Sequence, residues 1–173
     1  SGLVELLYSI MPTPVQLERF DYYESAAAMR DIGFLLGSIK KLGQEPIALV
    51  PELDYVLGEL SQRTNLPPRD TLLHYSVWNP DGIRQRAYTN TTDEFHLIKS
   101  VKVAMHPVLN AIYQLSALHE IDPRTAAFAE KAEEIGSNFK GMILGMVVAK
   151  RNVSPKVFAQ TLRFYFDPIT LYG

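Results

Sequence analysis

Phe158 and Arg163 lie five residues apart near the C-terminus and have side chains suited to an aromatic anion. Arg163 is a permanent cation whose planar guanidinium carries five donors, an arrangement that can bind a carboxylate or a phosphate at two points. Phe158 could pack on an aromatic ring of the same ligand. The pair therefore indicates a site for an aromatic amino acid. A surface arginine on a helix that packs against the core is the alternative that this stretch leaves open.

A short helix is predicted to carry both residues. Ser154 and Pro155 are typical of a helix N-cap and first helical position, because the serine hydroxyl accepts from free amides and proline has none to lose. The helix is expected to end at Asp167 and Pro168, since proline disfavours helical backbone in the residue before it. The apolar side of this helix is predicted to contain Phe158, Leu162, Tyr165 and Phe166.

The composition describes a globular protein of 173 residues, long enough to bury a core in one domain or in one domain with a small second one. The formal net charge of -2 gives no reason to expect nucleic acid or an anionic membrane as a partner. No cysteine and no pattern typical of a signal peptide or a membrane-spanning helix occurs in the sequence. We therefore expect a cytoplasmic protein.

Apolar residues recur every three or four positions through much of the chain, which predicts helices. In the first half, helices are expected over residues 22–42, from Pro51 to a point before Asn65, and over residues 68–77, with Gly43 as a left-handed residue after the first. The buried stripe of the second helix is predicted to consist of Leu53, Val56, Leu57 and Leu60. The prolines at positions 12 and 14 predict extended backbone.

Two long helices are predicted in the second half of the chain. Thr91, followed by Glu94 three residues later, has the pattern of a capping box and opens the first, in which Pro107 is expected to cause a kink. Asp122 and the proline after it are expected to open the second, which runs to about Lys150. With no strand-like alternation in the sequence, the prediction is an all-α fold.

Gly141 and Gly145 lie four residues apart inside the last of these long helices. Each glycine costs about 1 kcal/mol in a helix interior relative to alanine. Such a pair permits close approach by a neighbouring helix or by a flat ligand, and close helix packing is the preferred interpretation.

The residues alone indicate no catalytic or metal site. Four histidines are present, and none is paired with a carboxylate at metal-ligand spacing; they are His74, His96, His106 and His119. No phosphate-binding glycine loop, His-x-x-x-His pair or nucleophile elbow occurs. Without a resemblance, the chain is an all-α protein with an aromatic, arginine-containing pocket.

Several stretches carry a resemblance that covers about residues 24 to 170. They are residues 26–34, 64–69, 71–74, 77–80, 93–97 and 154–169. Together they resemble the monodechloroaminopyrrolnitrin synthase family of pyrrolnitrin biosynthesis, which is related more distantly to the heme-dependent indoleamine and tryptophan 2,3-dioxygenases. The resemblance implies the all-helical indoleamine 2,3-dioxygenase-like fold, of which this chain would be the N-terminal and central part only.

The resemblance also implies site residues on the distal side of a heme. Arg163 would bind the carboxylate of the substrate and Phe158 would pack on its indole. The substrate-binding residues implied are Phe158, Arg163, Leu72, Tyr75 and His96. The cofactor-binding residues implied are Ser76, Ser100, Val103, Met146 and Phe158. No catalytic side chain and no metal ligand are expected among these residues.

The domain organisation is implied in the same way. Residues 1–90 would form a small helical region covering the distal side, and residues 91–173 would form the first helices of the heme-binding large domain. The histidine that binds the iron in the family lies in a later region. We therefore expect the ligand of heme b to come from a missing C-terminal half or from a second polypeptide that completes the fold.

The implied activity is that of an oxidoreductase in antibiotic biosynthesis. It would use heme and dioxygen to oxidise or rearrange tryptophan or a chlorotryptophan. Ordinary indole 2,3-dioxygenation is an alternative. A non-enzymatic protein that binds heme or indole is another alternative.

Overall fold

A computed structural model describes residues 2–171, and every regular element in that range is helical. In chain order the α-helices are α1 (Gly2–Ile10), α2 (Pro14–Arg19), α3 (Tyr22–Lys41), α4 (Pro46–Leu49), α5 (Glu52–Thr64), α6 (Leu72–Tyr75), α7 (Thr92–Leu118), α8 (Ala126–Asn152) and α9 (Pro155–Gln160). Two 3-10 helices occupy Gly82–Arg84 and Leu162–Phe166. The prediction of an all-α fold is confirmed.

The helices form two compact units. Within the described range, the first unit comprises residues 2–90 and 155–171, and the second comprises residues 91–154. Residues 155–171 thus pack with the N-terminal part of the chain, whereas the sequence analysis grouped them with residues 91–154. None of the helices in the described range is long and apolar enough to cross a membrane.

Side-chain caps explain where the early helices of the first unit begin. Asp21 and Glu24 form a reciprocal capping box at the start of α3. Thr13 and Gln16 form another at the start of α2, which has Pro14 in its first turn. The prediction of extended backbone holds for Thr13, which has φ -71° and ψ 158°, but not for Pro14, which already belongs to the helix. A proline at the first helical position loses no hydrogen bond, and the threonine before it supplies the cap.

The core of the first unit lies chiefly between α3 and α5. The predicted helix over residues 22–42 is confirmed within one residue, and Gly43 has φ +74°. The predicted stripe of α5 is buried as expected. The fully or nearly fully buried core residues are Leu7, Leu17, Met29, Ile32, Leu36, Ile39, Ile47, Val50, Leu53, Val56, Leu57 and Leu60.

Two glycines on α3 allow other segments of the first unit to approach its backbone closely. A Cβ atom at Gly33 would lie 2.3 Å from the Cβ of Asp70. A Cβ atom at Gly37 would lie 2.7 Å from the carbonyl oxygen of Tyr165 and 2.6 Å from the Tyr88 hydroxyl. These contacts explain why residues 155–171 belong with the first unit.

Two helices predicted in the first unit are shorter than expected. The helix predicted over residues 68–77 is reduced to α6, which begins after Thr71 and ends where Ser76 leaves helical backbone at φ -121°, ψ -78°. The helix predicted to run to Phe166 breaks at Thr161, with φ -130° and ψ -61°, and continues as a 3-10 helix. Packing of the segment against Gly37 overrides its helical sequence pattern.

The second unit consists of two long antiparallel helices, α7 and α8, and a threonine caps the start of each. The Thr91 hydroxyl accepts from the Glu94 N–H, as half of the predicted capping box, and α7 passes through Pro107 without ending. Thr125 caps α8, so the predicted start at Asp122 was wrong by one turn. Asp122 instead accepts from the backbone N–H groups of the residues that precede the helix.

Candidate functional site

Phe158 and Arg163 lie on different elements of the first unit. Phe158 is on α9 and is 39% exposed, and Arg163 is exposed on the 3-10 helix Leu162–Phe166. Within residues 2–171 the Arg163 guanidinium has neither a hydrogen bond nor an ion pair. Leu162 and Tyr165 beside it are buried, so the backbone that carries Arg163 is anchored while its side chain reaches solvent.

The residues predicted on α6 lie in an aromatic part of the same unit. Tyr75 is buried, and its ring lies 5.1 Å from that of Phe166 in a T-shaped arrangement. Leu72 is half exposed. Ser76 is fully buried, and its hydroxyl donates to the Leu72 carbonyl at 2.5 Å. The structure thus brings Tyr75 against the segment that follows Arg163.

A cluster of aromatic rings connects α3 with the C-terminal segment of the first unit. The rings of Tyr88 and Tyr165 are stacked with centroids 4.3 Å apart, and Phe34 lies 4.7 Å from Tyr88. Lys41 donates from Nζ to the Tyr165 hydroxyl at 2.7 Å and lies 4.5 Å from the ring centroid. Stacked and edge-to-face rings of this kind stabilise by about 0.5–1.5 kcal/mol per pair beyond their buried area.

Beside this cluster is a cavity of about 240 Å³, which we call the Arg69 cleft. It lies wholly within the first unit. Its lining residues are Leu36, Gly37, Pro67, Arg69, Asp70, Thr71, Leu72, Tyr75, Tyr165, Phe166, Asp167 and Ile169. The predicted substrate-binding residues Leu72 and Tyr75 are among them, whereas Phe158 and Arg163 are not.

The polar end of the Arg69 cleft contains adjacent opposite charges. Arg69 donates from Nε to the Asp70 carbonyl at 3.2 Å, which fixes the direction of the guanidinium. Burial raises the pKa of the Asp70 carboxyl above its usual value, and the Arg69 cation opposes that shift. Asp70 also packs on Gly33 of α3, where a larger residue would displace it.

His74 lies directly behind this end of the cleft and is buried. Its Nδ1 accepts from the Thr71 N–H at 3.0 Å, which places the ring proton of the neutral form on Nε2. Nε2 has no hydrogen-bond partner in the described part of the chain. Burial, with a smaller contribution from the Arg30 cation, lowers the pKa of His74 to about 4. His74 is therefore neutral at physiological pH and holds the turn at Thr71.

The remaining predicted residues lie in the second unit. Ser100 of α7 packs at the close approach of the two helices, where a Cβ atom on Gly145 would lie 2.5 Å from the Ser100 carbonyl oxygen. The Ser100 hydroxyl donates to the Leu97 carbonyl at 2.7 Å. His96 and Val103 are half-buried on the same helix, and Met146 of α8 is exposed.

Helix packing accounts for the two glycines that the sequence analysis singled out. A Cβ atom on Gly145 would also meet the side chain of Ala104, and one on Gly141 would lie 2.7 Å from the Pro107 ring. The preferred interpretation, close approach by a neighbouring helix, is confirmed. Pro107 fits inside α7 partly because Gly141 leaves space beside it.

Comparison with known protein families identifies the family of the chain. The family model described as monodechloroaminopyrrolnitrin synthase PrnB matches residues 16–172, which is most of the chain. The chain belongs to the PrnB family. Members of the PrnB family are enzymes, heme oxidoreductases that act on tryptophan in pyrrolnitrin biosynthesis. The resemblance seen in the sequence is thereby confirmed.

The described residues of this PrnB family member can be tested for their fit to heme. A porphyrin needs an apolar surface, and Val103 and Met146 beside the Gly145 contact offer one. The hydroxyls of Ser76 and Ser100 already donate to carbonyl groups of their own segments. Within residues 2–171 no group of three or more histidine, cysteine or acidic side chains could hold a metal ion. The described residues therefore fit the flat apolar face of a porphyrin.

Sequence reasoning missed the residues that shape the Arg69 cleft. Gly33 and Gly37 have the same four-residue spacing as Gly141 and Gly145 and lie on a helix that was correctly predicted. That spacing was the available signal for a close approach. No local pattern marks Arg69 or Asp70, because the cleft forms only when distant segments meet.

Proposed function

We propose that this chain binds the substrate in a heme-dependent oxidation or rearrangement of tryptophan or a chlorotryptophan. Arg163 would hold the α-carboxylate and Phe158 would pack on the indole ring. The state of Arg163 carries this proposal, because its guanidinium is exposed and has no partner within residues 2–171, while Leu162 and Tyr165 anchor its backbone. An anchored arginine with free donors can bind a carboxylate bidentately.

Heme b would supply the oxidising chemistry when bound, by activating dioxygen. Val103 and Met146 of the second unit would contact the porphyrin through apolar atoms. Leu72 and Tyr75 of the first unit would limit the space open to the substrate. The contribution of this chain is then positioning, which can supply several kcal/mol of the barrier reduction without a general base from the protein.

We further propose that a second polypeptide segment completes the site and would supply a histidine to hold the iron of the heme. The support is the apolar surface of α7 and α8. Their exposed large apolar residues are Phe95, Ile112, Tyr113, Leu115, Phe139, Met142, Ile143, Leu144 and Met146. Many exposed large apolar side chains on one pair of helices are typical of a protein interface. The expected occupant is a helical segment bearing an iron-binding histidine.

Heme titration of the 173-residue chain tests the need for this second segment. We expect weak binding with no defined stoichiometry, because apolar contacts alone would hold the porphyrin. Tight binding of one heme per chain, with the absorption spectrum of an axially ligated iron, would contradict the proposal. The control is an intact-mass measurement showing that no other polypeptide is present.

The activity itself is tested by single-turnover product analysis of the heme-loaded assembly containing this chain. Tryptophan and 7-chlorotryptophan would each be supplied with dioxygen and a reductant, and the products identified by mass spectrometry. Rearrangement to an aminophenylpyrrole skeleton is the expected outcome. Ring-opened indole with two added oxygen atoms would indicate ordinary dioxygenation, and recovery of unchanged substrate would contradict both. One chlorine atom should change kcat/KM by about 10- to 200-fold, since a methyl-sized group is worth about 1–3 kcal/mol.

A further inference from the structure

The Arg69 cleft contains the groups needed to bind a free amino acid without help from Arg163. The adjacent residues Arg69 and Asp70 contribute a cation and a carboxyl to its lining, and Tyr75, Tyr165 and Phe166 contribute aromatic rings. In an α-amino acid the carboxylate and the ammonium likewise share a single carbon atom. A cation, a carboxyl and aromatic rings in one cleft therefore suit an aromatic α-amino acid.

The Arg69 guanidinium is available for a carboxylate. Its Nε is bonded to the Asp70 carbonyl, and within residues 2–171 its remaining donors have no hydrogen bond or ion pair. The guanidinium is planar, so its two terminal nitrogens lie side by side and can bind a carboxylate at two points while Nε stays bonded to the Asp70 carbonyl. The side chain is partly buried, so water competes less than it does at an exposed arginine.

Asp70 provides the complementary group. It is partly buried against Gly33 and has no ion-pair partner in the described part of the chain. Burial disfavours the carboxylate form of Asp70, the Arg69 cation offsets only part of that cost, and a further cation bound beside it would reduce the remainder. A ligand ammonium would supply that cation, and Asp167 at the rim of the cleft adds a second acceptor.

The size of the cavity limits the ligand. At about 240 Å³ it is smaller than sites for drug-sized molecules, which measure roughly 300–1,000 Å³. A peptide or a nucleotide would exceed it, whereas a single amino acid would not. Leu36, Leu72 and Ile169 add apolar surface to the three aromatic rings, which favours an aromatic or large apolar side chain.

We propose that the Arg69 cleft is a second site for a free aromatic α-amino acid, with Arg69 on the carboxylate and Asp70 on the ammonium. The cleft shares Leu72 and Tyr75 with the residues that the proposed function places around the substrate, but binding in it requires neither heme nor Arg163. Occupancy of the cleft would hold Tyr75 and the segment after Arg163 in place, so that free amino acid would also stabilise the first unit.

Calorimetric titration of the Arg163→Ala chain tests this site while the other proposed clamp is removed. The probes are L-tryptophan, tryptamine, which lacks the carboxylate, and indole-3-propionate, which lacks the ammonium. Arg69→Gln should weaken L-tryptophan and indole-3-propionate about tenfold or more and leave tryptamine unchanged. Asp70→Asn should weaken L-tryptophan and tryptamine by a similar factor and leave indole-3-propionate unchanged. Arg151→Gln, at an exposed position of α8, is the matched control.

The site is supported if Arg69→Gln loses affinity only for the two probes with a carboxylate and Asp70→Asn only for the two probes with an ammonium. A variant that merely unfolded would lose affinity for all three probes. The thermal unfolding of each variant would be recorded to compare their folded fractions. Absence of saturable L-tryptophan binding to the Arg163→Ala chain would overturn the proposal. Equal losses for tryptamine and indole-3-propionate in either variant would overturn it as well. Neither result would affect the assignment of Arg163.

Discussion

The two units of this chain reach helical structure in different ways. The first has short capped helices around a core in which residues such as Met29 and Leu57 are completely buried. The second consists of two helices of 27 residues each, with buried residues only at Glu94, Ile98, Ser100 and Ala111 on α7 and at Ile135 and Gly145 on α8, within the described range. Most large apolar side chains of α8 are exposed.

This difference indicates that the units depend on different sources of stability. Burial of apolar area is the main favourable term in folding. The buried core of the first unit therefore holds the Arg69 cleft and the backbone of Arg163 in position. The second unit buries few of its own side chains. This is expected for a pair of helices that further apolar contacts would stabilise. Ligand selection is therefore expected to depend on the first unit and cofactor contact on the second.

A buried and an exposed leucine give the largest expected contrast. Leu57→Ala in the first unit should lower the free energy of unfolding by about 2–5 kcal/mol, because it leaves a cavity in a closely packed core. Leu144→Ala in the second unit should change it by less than about 0.5 kcal/mol, because the side chain is 63% exposed. Urea unfolding followed by circular dichroism measures both. Equal losses would show that Leu144 is packed as closely as Leu57 and would contradict the contrast between the units.

The pH dependence of stability should depend on one histidine of the first unit. Folded His74 has a pKa of about 4, and an unfolded histidine titrates near 6.5, so the unfolded state binds more protons between these values. The free energy of unfolding should therefore fall as the pH is lowered from about 6.5 to 4, by roughly 3 kcal/mol in total. The raised pKa of Asp70 acts in the opposite direction, because its carboxyl gains a proton more readily when folded.

A variant of His74 separates its contribution to the pH dependence from that of Asp70. His74→Asn keeps an acceptor near the position of Nδ1 and should remove most of the fall in stability between pH 6.5 and 4. His106→Asn, a change at an exposed position of α7, is the control. Urea unfolding would be repeated at half-unit steps of pH. A pH dependence that persists unchanged in His74→Asn would show that another group causes it.

Replacing a glycine by alanine should destabilise the first unit at Gly37 and stabilise the second unit at Gly136. Gly37→Ala places a Cβ atom 2.7 Å from the Tyr165 carbonyl oxygen and should destabilise the first unit by about 1–3 kcal/mol. Gly136→Ala in α8 meets nothing within 4 Å and should stabilise by about 0.5–1 kcal/mol, because alanine has the higher helix propensity. Thermal unfolding of both variants tests the pair. Stabilisation by Gly37→Ala would contradict the close approach at that residue.

The sequence predicted those features that depend on local pattern. The periodicity of α3 and α5 and the capping threonine of α7 were sufficient to place three helices. The break at Thr161 was not predictable, because residues 155–166 have a helical pattern and only their packing against Gly37 interrupts it. The Arg69 cleft was missed for the same reason. Phe158 and Arg163 were proposed from their residue types, and the roles proposed for them come from the family resemblance.

The central claim is that Arg163 clamps the carboxylate of the substrate. It is tested most directly by comparing the binding of L-tryptophan and indole to Arg163→Ala and Arg163→Lys, in an Arg69→Gln background that removes the second proposed site. Tryptophan affinity should fall by about 1.5–3 kcal/mol in Arg163→Ala, the range for a hydrogen bond to a charged group.

Arg163→Lys should restore only part of that loss, since an ammonium cannot form the bidentate pair. Indole, which has no carboxylate, should bind all proteins equally well. That pattern is the result we predict. Equal losses of tryptophan and indole affinity would mean that Arg163 supports folding and does not bind the substrate, and they would contradict the account.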